Sequence, residues 1–170
     1  MANFLQKHPW WNFIHEDLRE LLSQSFLLSD VAGGWRQGFL RQEELHDYSF
    51  IVFPAAKAYE GFLKTLFLDL GFISKEDFYG KRFRIGKALN PVLEKRLRRK
   101  ISVYDKLVNF CQSRTLADEL WNTWKTCRNL TFHWFPDEKN ALTYDEAVSC
   151  IQRIVNAMDL AYNECKTVDK

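Results

Sequence analysis

One arginine and one histidine in this sequence have side chains suited to chemistry on a phosphodiester. Arg128 and His133 lie five positions apart in the stretch CRNLTFHWF, which covers residues 127–135. An imidazole can accept or donate a proton near neutral pH, and a guanidinium binds phosphate oxygens through a planar fork. Transesterification of RNA requires both, because a proton moves while negative charge develops on the phosphate. This pair is therefore the first candidate site.

The two side chains converge only if helical winding ends between them. On an unbroken helix, side chains five positions apart point about 140° away from each other. Pro136 cannot join a helix interior and disfavours helical backbone at Phe135, so we expect the helix to unwind after Arg128. The same spacing occurs at Arg41 and His46, which we interpret as surface residues, so spacing alone is not specific. The alternative for the first pair is a helix C-terminal cation beside a histidine packed among aromatic rings.

Hydrophobic periodicity predicts the helices that must position these residues. The strongest pattern covers residues 45–70, where apolar residues recur every three or four positions; Pro54 predicts a kink or a fresh start, and Gly71 predicts the end. Further helices are predicted over residues 12–28, stopped by Gly33 and Gly34, and then from Pro91, from Ser102, from Thr115 and from the capping box of Thr143 and Glu146 to about residue 165.

The composition favours a single all-α domain. The chain has 170 residues, of which 46% are hydrophobic, and its seven glycines and four prolines are too few for many tight β-turns. Residues 74–90 show no clean period and are predicted to form an irregular, basic excursion. We predict one domain over residues 1–170, an antiparallel bundle of four to six helices whose motif-bearing core covers about residues 45–165.

Positive charge is concentrated in one segment. Residues 81–100 hold nine basic residues and one acidic residue, although the net charge of the whole chain is only +2. A local positive field suits a phosphate-bearing partner such as RNA. The candidate RNA-binding residues in this segment are Arg82, Arg84, Lys87, Arg96, Arg98, Arg99 and Lys100. The alternative is a solvated helix face without a ligand.

Cysteines, histidines and apolar runs argue against several other classes of protein. Cys111, Cys127, Cys150 and Cys165 have no Cys-x-x-Cys spacing, so we interpret them as reduced core residues. No two histidines have metal-ligand spacing, and neither a metal nor another cofactor is expected. No apolar run approaches the roughly 18 residues of a membrane span, and the first residues do not resemble an export signal. A cytoplasmic protein without membrane association is therefore expected.

Two segments of the chain resemble the HEPN superfamily of helical-bundle ribonucleases. The stretch RNLTFH at 128–133 resembles the Arg-polar-x3–5-His motif of that superfamily, and it lies between an amphipathic helix and the capped last helix. The stretch FPAAKAYEGFLK at 53–64 is similar to the corresponding helix of RNase LS-type toxins, the RnlA/LsoA family. This resemblance spans roughly residue 45 to the C-terminus and is weak in the basic excursion.

The resemblance implies an active site and a reaction. Its catalytic residues would be Lys57, Glu60, Arg128 and His133, and Lys64 and Asn129 would contact RNA. It implies metal-independent cleavage in which the ribose 2′-OH attacks phosphorus. His133 would act as general acid or base, Arg128 would stabilise the phosphorane, Glu60 would orient His133, and Lys57 would bind phosphate. A two-fold homodimer and an antitoxin or another inhibitor, in a toxin or phage-defence setting, are implied as well.

The sequence departs from the family at two positions, and it allows other interpretations. Position 57 is Lys where the family has Arg, and Phe135 stands where HEPN toxins silenced by nucleotide transfer have a tyrosine.

A HEPN module that binds RNA, nucleotide or a partner protein without cleavage is the main alternative. A pure interaction module is another, in which Trp10 and Trp11 would form an exposed patch, although buried tryptophan is the commoner case. Glu60 could also simply pair with a lysine four residues on.

Overall fold

Regular secondary structure in the described part of the chain, residues 2–37, 45–136 and 141–166 of a computed structural model, is entirely helical. The helices are α1 (Ala2–Leu5), α2 (Glu16–Gln37), α3 (Ser49–Asp69), α4 (Lys75–Tyr79), α5 (Ile85–Ala88), α6 (Lys95–Ile101), α7 (Val103–Cys111), α8 (Thr115–Trp124) and α9 (Tyr144–Lys166), with a π-helical turn Lys125–Asn129 directly after α8. The predicted all-α class is confirmed. Five of these helices have nine or more residues, and four shorter ones join them.

The core is built around α3. Eleven of its 21 residues are buried, including Phe62, Leu66 and Phe67, because its apolar residues follow the helical period on more than one face. It packs against α2 and α9, and α9 packs against α8. Burial of each such side chain contributes about 1.5–3 kcal/mol. No helix among the described residues is both long enough and apolar enough to cross a bilayer.

A proline lies inside α3, and a neighbouring helix compensates for it. Pro54 has no N–H, and its ring disturbs the helical hydrogen bonds around it. The hydroxyl of Ser25, which is fully buried on α2, accepts a hydrogen bond from the N–H of Ala55 at 2.8 Å and donates one to the carbonyl of Ile51 at 2.7 Å. Ser25 therefore bridges two backbone groups of α3 that are four residues apart. Pro54 is thus accommodated within one helix that starts at Ser49, rather than at residue 45.

The prediction that Gly33 and Gly34 stop the second helix was wrong. α2 begins at Glu16 and runs through both glycines to residue 37. A Cβ atom at Gly33 would lie 2.7 Å from the hydroxyl oxygen of Tyr144, which donates a hydrogen bond to the carbonyl of Ser29 at 3.0 Å. Gly33 therefore allows the start of α9 to pack closely on α2, and it keeps helical backbone. By contrast, Gly71 has a φ of 69° and follows the end of α3 as predicted.

The excursion predicted to be irregular contains short helices. α4 is capped by Ser74, whose hydroxyl accepts from the N–H of Asp77 at 3.1 Å, and α5 follows a few residues later. The basic helix predicted from Pro91 is α6, which begins four residues later. The predicted caps are confirmed: Ser102 caps α7, and Thr143 and Glu146 form the capping box before α9.

The first residues of the chain are tied to the last helix. The Trp10 indole N–H donates to the carboxylate of Asp159 at 2.7 Å, and Nδ1 of His8 lies 2.8 Å from the same group. Trp10 is fully buried, and the ring of His8 stacks on it. The exposed patch suggested for Trp10 and Trp11 is thus contradicted by the burial of Trp10.

Candidate active site

The candidate site is built on one face of α3. Phe53, Lys57, Glu60 and Lys64 follow each other at intervals of four, three and four residues, so they fall within about 60° around the helix axis. The stripe measures about 16 Å from end to end at ~1.5 Å per residue. Phe53 and Lys57 are exposed, and Glu60 and Lys64 are half-buried. The alternative considered for Glu60, a surface pair with Lys64, is absent among the ion pairs of the described residues.

Arg128 reaches this face from a widened helical turn. After Trp124 the chain changes from α to π winding over Lys125–Asn129, and the N–H of Leu130 donates to the carbonyl of Lys125, five residues earlier, at 2.9 Å. The Thr131 hydroxyl bonds the carbonyl of Thr126 at 2.7 Å, which closes the end of the turn. Such single π turns are rare and occur often at functional sites. Regular α-winding therefore ends before Arg128, and residues 133–135 have no helical structure.

Glu60 and Trp124 together fix the guanidinium of Arg128. The Nη2 atom of Arg128 lies 3.4 Å from Oε2 of Glu60, and its Cζ atom lies 5.0 Å from the centre of the Trp124 ring. The side chains of Arg128 and Glu60 are 36% and 32% exposed. A pair this accessible contributes only about 0.2–1 kcal/mol, so its main effect is to hold the guanidinium in place while leaving it open to a ligand.

A second contact anchors the chain after the π turn to the same stripe. The ring of Phe132 packs edge to face on Phe53, with 5.4 Å between the ring centroids and 88° between the planes. Arg128 thus meets the stripe at Glu60, and Phe132 meets it two turns earlier. The segment that carries both residues runs back along α3, with Lys57 between the two contacts.

His133 follows Phe132 and is exposed at this end of the stripe. Its ring lies 6.2 Å from that of Phe135, and within the described residues it forms neither a hydrogen bond nor an ion pair. The Lys57 ammonium lies 5.7 Å from the centre of the Phe53 ring. The structure therefore brings Glu60 into contact with Arg128. Lys57 lies one helical turn from Glu60 on the same face, and no contact joins the exposed His133 to Arg128 within the described residues. The predicted contact of Glu60 with His133 is replaced by the contact with Arg128.

The basic segment touches the site through α5. A Cβ atom at Gly86 would lie 2.5 Å from Nε1 of Trp124, so α5 packs directly against the indole that supports Arg128. Lys87 is the next residue and is exposed. The α6 part of the segment lies farther away, where Lys100 lines a cavity of about 330 Å³ with Gly71 and Phe72, beyond the end of α3.

The predicted RNA-binding residues of the basic segment fall into two groups. Arg98 donates two hydrogen bonds of 2.6 Å to Asp105, and Arg84 donates to the carbonyl of Lys81. The Arg98 guanidinium lowers the pKa of Asp105 below its ordinary value. The remaining candidates are exposed and form no ion pair within the described residues: Arg82, Lys87, Arg96, Arg99 and Lys100. Asn129 is half-buried in the π turn.

Buried polar groups stabilise the other side of α8. Burial raises the pKa of the Tyr59 hydroxyl well above its ordinary value, so the hydroxyl remains protonated and donates to the carbonyl of Leu120 at 3.1 Å. A thiol hydrogen bond from Cys150 lowers the pKa of Cys127 and raises that of Cys150. All four cysteines are free thiols, as predicted; Cys127 and Cys165 are buried, and Cys111 and Cys150 are half-buried.

The described part of the chain offers no cluster of metal ligands. Within residues 2–37, 45–136 and 141–166, no group of three or more His, Cys, Asp or Glu side chains is placed to hold a metal ion.

Comparisons with protein-family models, with curated proteins and with solved structures gave no significant match. The two segments quoted above therefore remain a resemblance, and the site is assigned from its own residues. Of the second Arg-x4-His pair, His46 is exposed, and Arg41 lies outside the described residues.

Sequence analysis did not identify several residues that shape the site. Trp124, Phe132 and Trp134 were given no role. The available signal was the spacing of residues 53, 57, 60 and 64, which places an aromatic ring and three charged groups on one helix face. The contacts of Phe132 and Trp124 across the molecule carry no local signal.

Proposed function

We propose that this protein is an endoribonuclease that cleaves RNA without a metal ion, at the site of Lys57, Glu60, Arg128 and His133. One observation carries the proposal. Glu60 holds the guanidinium of Arg128 about one helical turn from Lys57 on α3, and the segment of Arg128 continues to an exposed imidazole. Two cations that can bind a phosphate and one group that can transfer a proton thus lie along one accessible surface. This surface, here called the strip, consists of the stripe on α3 and the segment 128–134 that packs on it.

The reaction that fits this strip is attack of the ribose 2′-OH on the adjacent phosphorus. A general base takes the proton of the 2′-OH, the 2′-oxygen bonds to phosphorus, and the bond from phosphorus to the 5′-oxygen breaks as that oxygen receives a proton. The products are a 2′,3′-cyclic phosphate and a 5′-OH. In this mechanism His133 transfers a proton, Arg128 stabilises charge on the phosphorane, and Lys57 binds a phosphate oxygen.

Glu60 acts in this proposal as a positioning residue. Its carboxylate is 3.4 Å from Arg128 and holds the guanidinium over the face of α3. A fixed guanidinium needs no reorganisation when charge develops on the phosphate, which is the condition for efficient electrostatic stabilisation. Glu60 thus contributes through Arg128.

The wider setting belongs to the same proposal. We propose an antiparallel HEPN-like arrangement of the helices and a two-fold dimer in which a second His133 supplies the other proton-transfer group of the reaction. The exposed cations of the basic segment would bind the RNA backbone. An RNase of this kind acting in the cytoplasm would require an inhibitor such as an antitoxin, in a toxin or phage-defence role.

Cleavage of labelled RNA in EDTA tests the proposal directly. We expect fragments that end in a 2′,3′-cyclic phosphate, and no cleavage of an oligonucleotide that carries 2′-O-methyl groups throughout. His133→Ala is expected to lower the rate about 10²- to 10⁴-fold. The matched control is His46→Ala, because His46 is also exposed and also follows an arginine by five positions. Unchanged cleavage by His133→Ala, or products with a 3′-OH, would contradict the proposal.

One observation favours a second candidate, an RNA-binding module that does not cleave. His133 has no hydrogen-bond partner among the described residues, whereas a general acid or base is commonly oriented by a third group. In that case Lys57 and Arg128 would hold phosphate without a reaction. Binding of RNA that remains intact at every protein concentration and pH, and that weakens steeply with salt, is the expected result for this candidate.

A further inference from the structure

Three aromatic side chains next to His133 have no role in the proposed cleavage. Phe53 is 51% exposed although it lies on the most buried helix, and Trp134 is 80% exposed. Phe132 is half-buried and packs edge to face on Phe53. Trp134 follows Phe132 by two residues, so their Cα atoms are at most about 7 Å apart. These three residues are here called the aromatic cluster: Phe53 and Phe132 are in contact at one end of the strip, and Trp134 lies close to them along the chain.

The position of Phe53 on α3 explains why the fold does not bury it. Ser25 of α2 bonds to the backbone of Ile51 and Ala55, which lie two positions on either side of Phe53. At ~100° per residue, Phe53 therefore points to the side of α3 opposite α2. Single exposed apolar side chains are common on proteins, but here two large ones flank a candidate phosphate site.

Positive charge lies next to these rings. The Lys57 ammonium lies 5.7 Å from the centre of the Phe53 ring, and Arg128 and Lys64 lie farther along the strip. The carboxylate of Glu60 is already paired with Arg128, so the strip carries an excess of positive charge. A surface that places cations beside accessible aromatic faces matches a nucleotide chain, in which phosphates lie beside flat bases. An apolar protein partner matches it less well, because it would remove water from the lysines.

We infer that unpaired bases stack on Trp134 and Phe53 while Lys57 binds a neighbouring phosphate, so that the ligand of this site is single-stranded RNA. The inference rests on the proposed function for the identity of the ligand as RNA, and it adds that this RNA is single-stranded. Bases inside a duplex stack on one another and cannot offer their faces to a protein ring. The aromatic cluster therefore selects unpaired nucleotides, whatever their sequence, because every base has a flat face.

Binding of uncleavable oligonucleotides tests this inference. The probes are a fluorescent 2′-O-methyl single strand, its duplex, and the same strand with three central bases removed, and the readout is Kd by fluorescence anisotropy. The intact single strand is expected to bind about 5- to 100-fold more tightly than either of the other probes. Trp134→Ala should weaken binding of the intact strand by a similar factor and leave the abasic strand unchanged, and Trp134→Phe should retain most of the affinity.

The matched control is Trp35→Ala, because Trp35 is also exposed, at 44%, but lies on α2. Its affinity should equal that of the wild type. Equal binding of intact and abasic strands overturns the inference, as does an unchanged Kd in Trp134→Ala. Absence of binding to all three probes also overturns it and leaves a protein as the partner of the aromatic cluster. Selective single-strand binding without cleavage of ordinary RNA contradicts only the proposed function, and cleavage without such selectivity contradicts only this inference.

Discussion

Arg128 and Glu60 are 68 positions apart in the sequence, and their side chains are 3.4 Å apart in the structure. The contact joins a π-helical turn to the central helix, and the face of Trp124 supports the guanidinium from another side. The position of Arg128 is thus set by the packing of α3 against the end of α8. Substitution of the half-buried Glu60 should therefore affect the site more than it affects folding, whereas Trp124 is 4% exposed and also belongs to the core.

Substitution of Glu60 tests this positional role. Glu60→Ala is expected to lower the rate of RNA cleavage about tenfold to a hundredfold, because the guanidinium loses its fixed position. Glu60→Gln keeps a hydrogen-bond acceptor and should retain more activity. Rates are measured under single-turnover conditions together with Kd for uncleavable RNA.

The control for this prediction is the ion pair of Arg153 and Glu119. It spans 3.2 Å and its side chains are similarly exposed, at 38% and 36%, but it lies between α8 and α9. Glu119→Gln should leave the cleavage rate unchanged. The positional role fails if both substitutions reduce cleavage equally, or if Glu60→Ala cleaves at the wild-type rate.

Gly86 on α5 allows the Trp124 ring to occupy its position next to Arg128. Gly86→Ala would place a methyl group 2.5 Å from Nε1 of Trp124, so the indole must move. We expect a loss of about 1–3 kcal/mol of unfolding free energy and a lower cleavage rate. Gly34→Ala is the control, because nothing lies within 4 Å of its added Cβ; it should be neutral or more stable by up to about 1 kcal/mol. Urea unfolding distinguishes the two, and equal stability of both variants would refute the prediction.

The hydroxyl of Ser25 should contribute more to the stability of the fold than other serine hydroxyls on α2. Ser25→Ala removes the bridge between Ala55 and Ile51 and leaves two buried backbone groups without their partner. The expected cost is about 1–3 kcal/mol in the free energy of unfolding, measured in urea. In Ser23→Ala, the lost hydroxyl only donates to the Arg19 carbonyl within its own helix, so a change below about 0.5 kcal/mol is expected. Similar losses in both variants would argue against a special role for the bridge.

Stability should fall in acid partly because of Asp47. Burial raises the pKa of Asp47, but hydrogen bonds from the N–H of Leu142 and from Ser49 outweigh it, so the pKa is lower than in the unfolded chain. A lowered pKa in the folded state stabilises the protein above the unfolded value, about 3.9, and this contribution is lost as pH falls through the folded value. Asp47→Asn should therefore lower stability at pH 7 and flatten its decline below about pH 4.

The pH dependence of stability is measured by urea unfolding at a series of pH values. Asp30→Asn serves as the control, since Asp30 is exposed on α2. Its acid limb should follow that of the wild type. Parallel acid limbs for Asp47→Asn and the wild type would show that Asp47 contributes nothing to the pH dependence.

The basic segment should bind RNA through some of its arginines and not through others. Arg99→Ala is expected to reduce the salt dependence of RNA binding by about one phosphate contact, because Arg99 is exposed and unpaired within the described residues. Arg98→Ala should change it little, since Asp105 already holds that guanidinium through two hydrogen bonds. Titrations at several salt concentrations measure both slopes. Equal effects of the two substitutions would contradict this division.

Much of the helical structure could be predicted from local patterns. The course of α3, its end before Gly71 and the caps at Ser102 and Thr143 depend on residues close in sequence, and these predictions were confirmed. The continuation of α2 through Gly33 could not be predicted, because it depends on close packing with Tyr144, more than a hundred residues away. The burial of the proline in α3 depends in the same way on a side chain from another helix.

The candidate site was predicted less completely than the fold. The end of α-winding near Arg128 followed from Pro136, but the π turn did not, since its hydrogen bonds differ from α-helical ones by a single residue. Glu60 was implicated only through the resemblance, and its contact with Arg128 required two helices to be placed relative to each other. The roles of Trp124 and Phe132 follow from that same placement and from no pattern in the sequence.

The stripe on α3 has one more consequence. Phe53, Lys57 and Glu60 belong to a well-packed helix, whereas Arg128, Phe132 and His133 belong to a segment without regular α-structure. The site is therefore formed half by a well-packed helix and half by a segment that no α-helix holds. Substitutions of Arg128 and His133, which the core does not bury, can change ligand binding without removing core contacts. New ligand preferences should therefore arise at these positions first, while α3 keeps the same spacing between its ring and its charges.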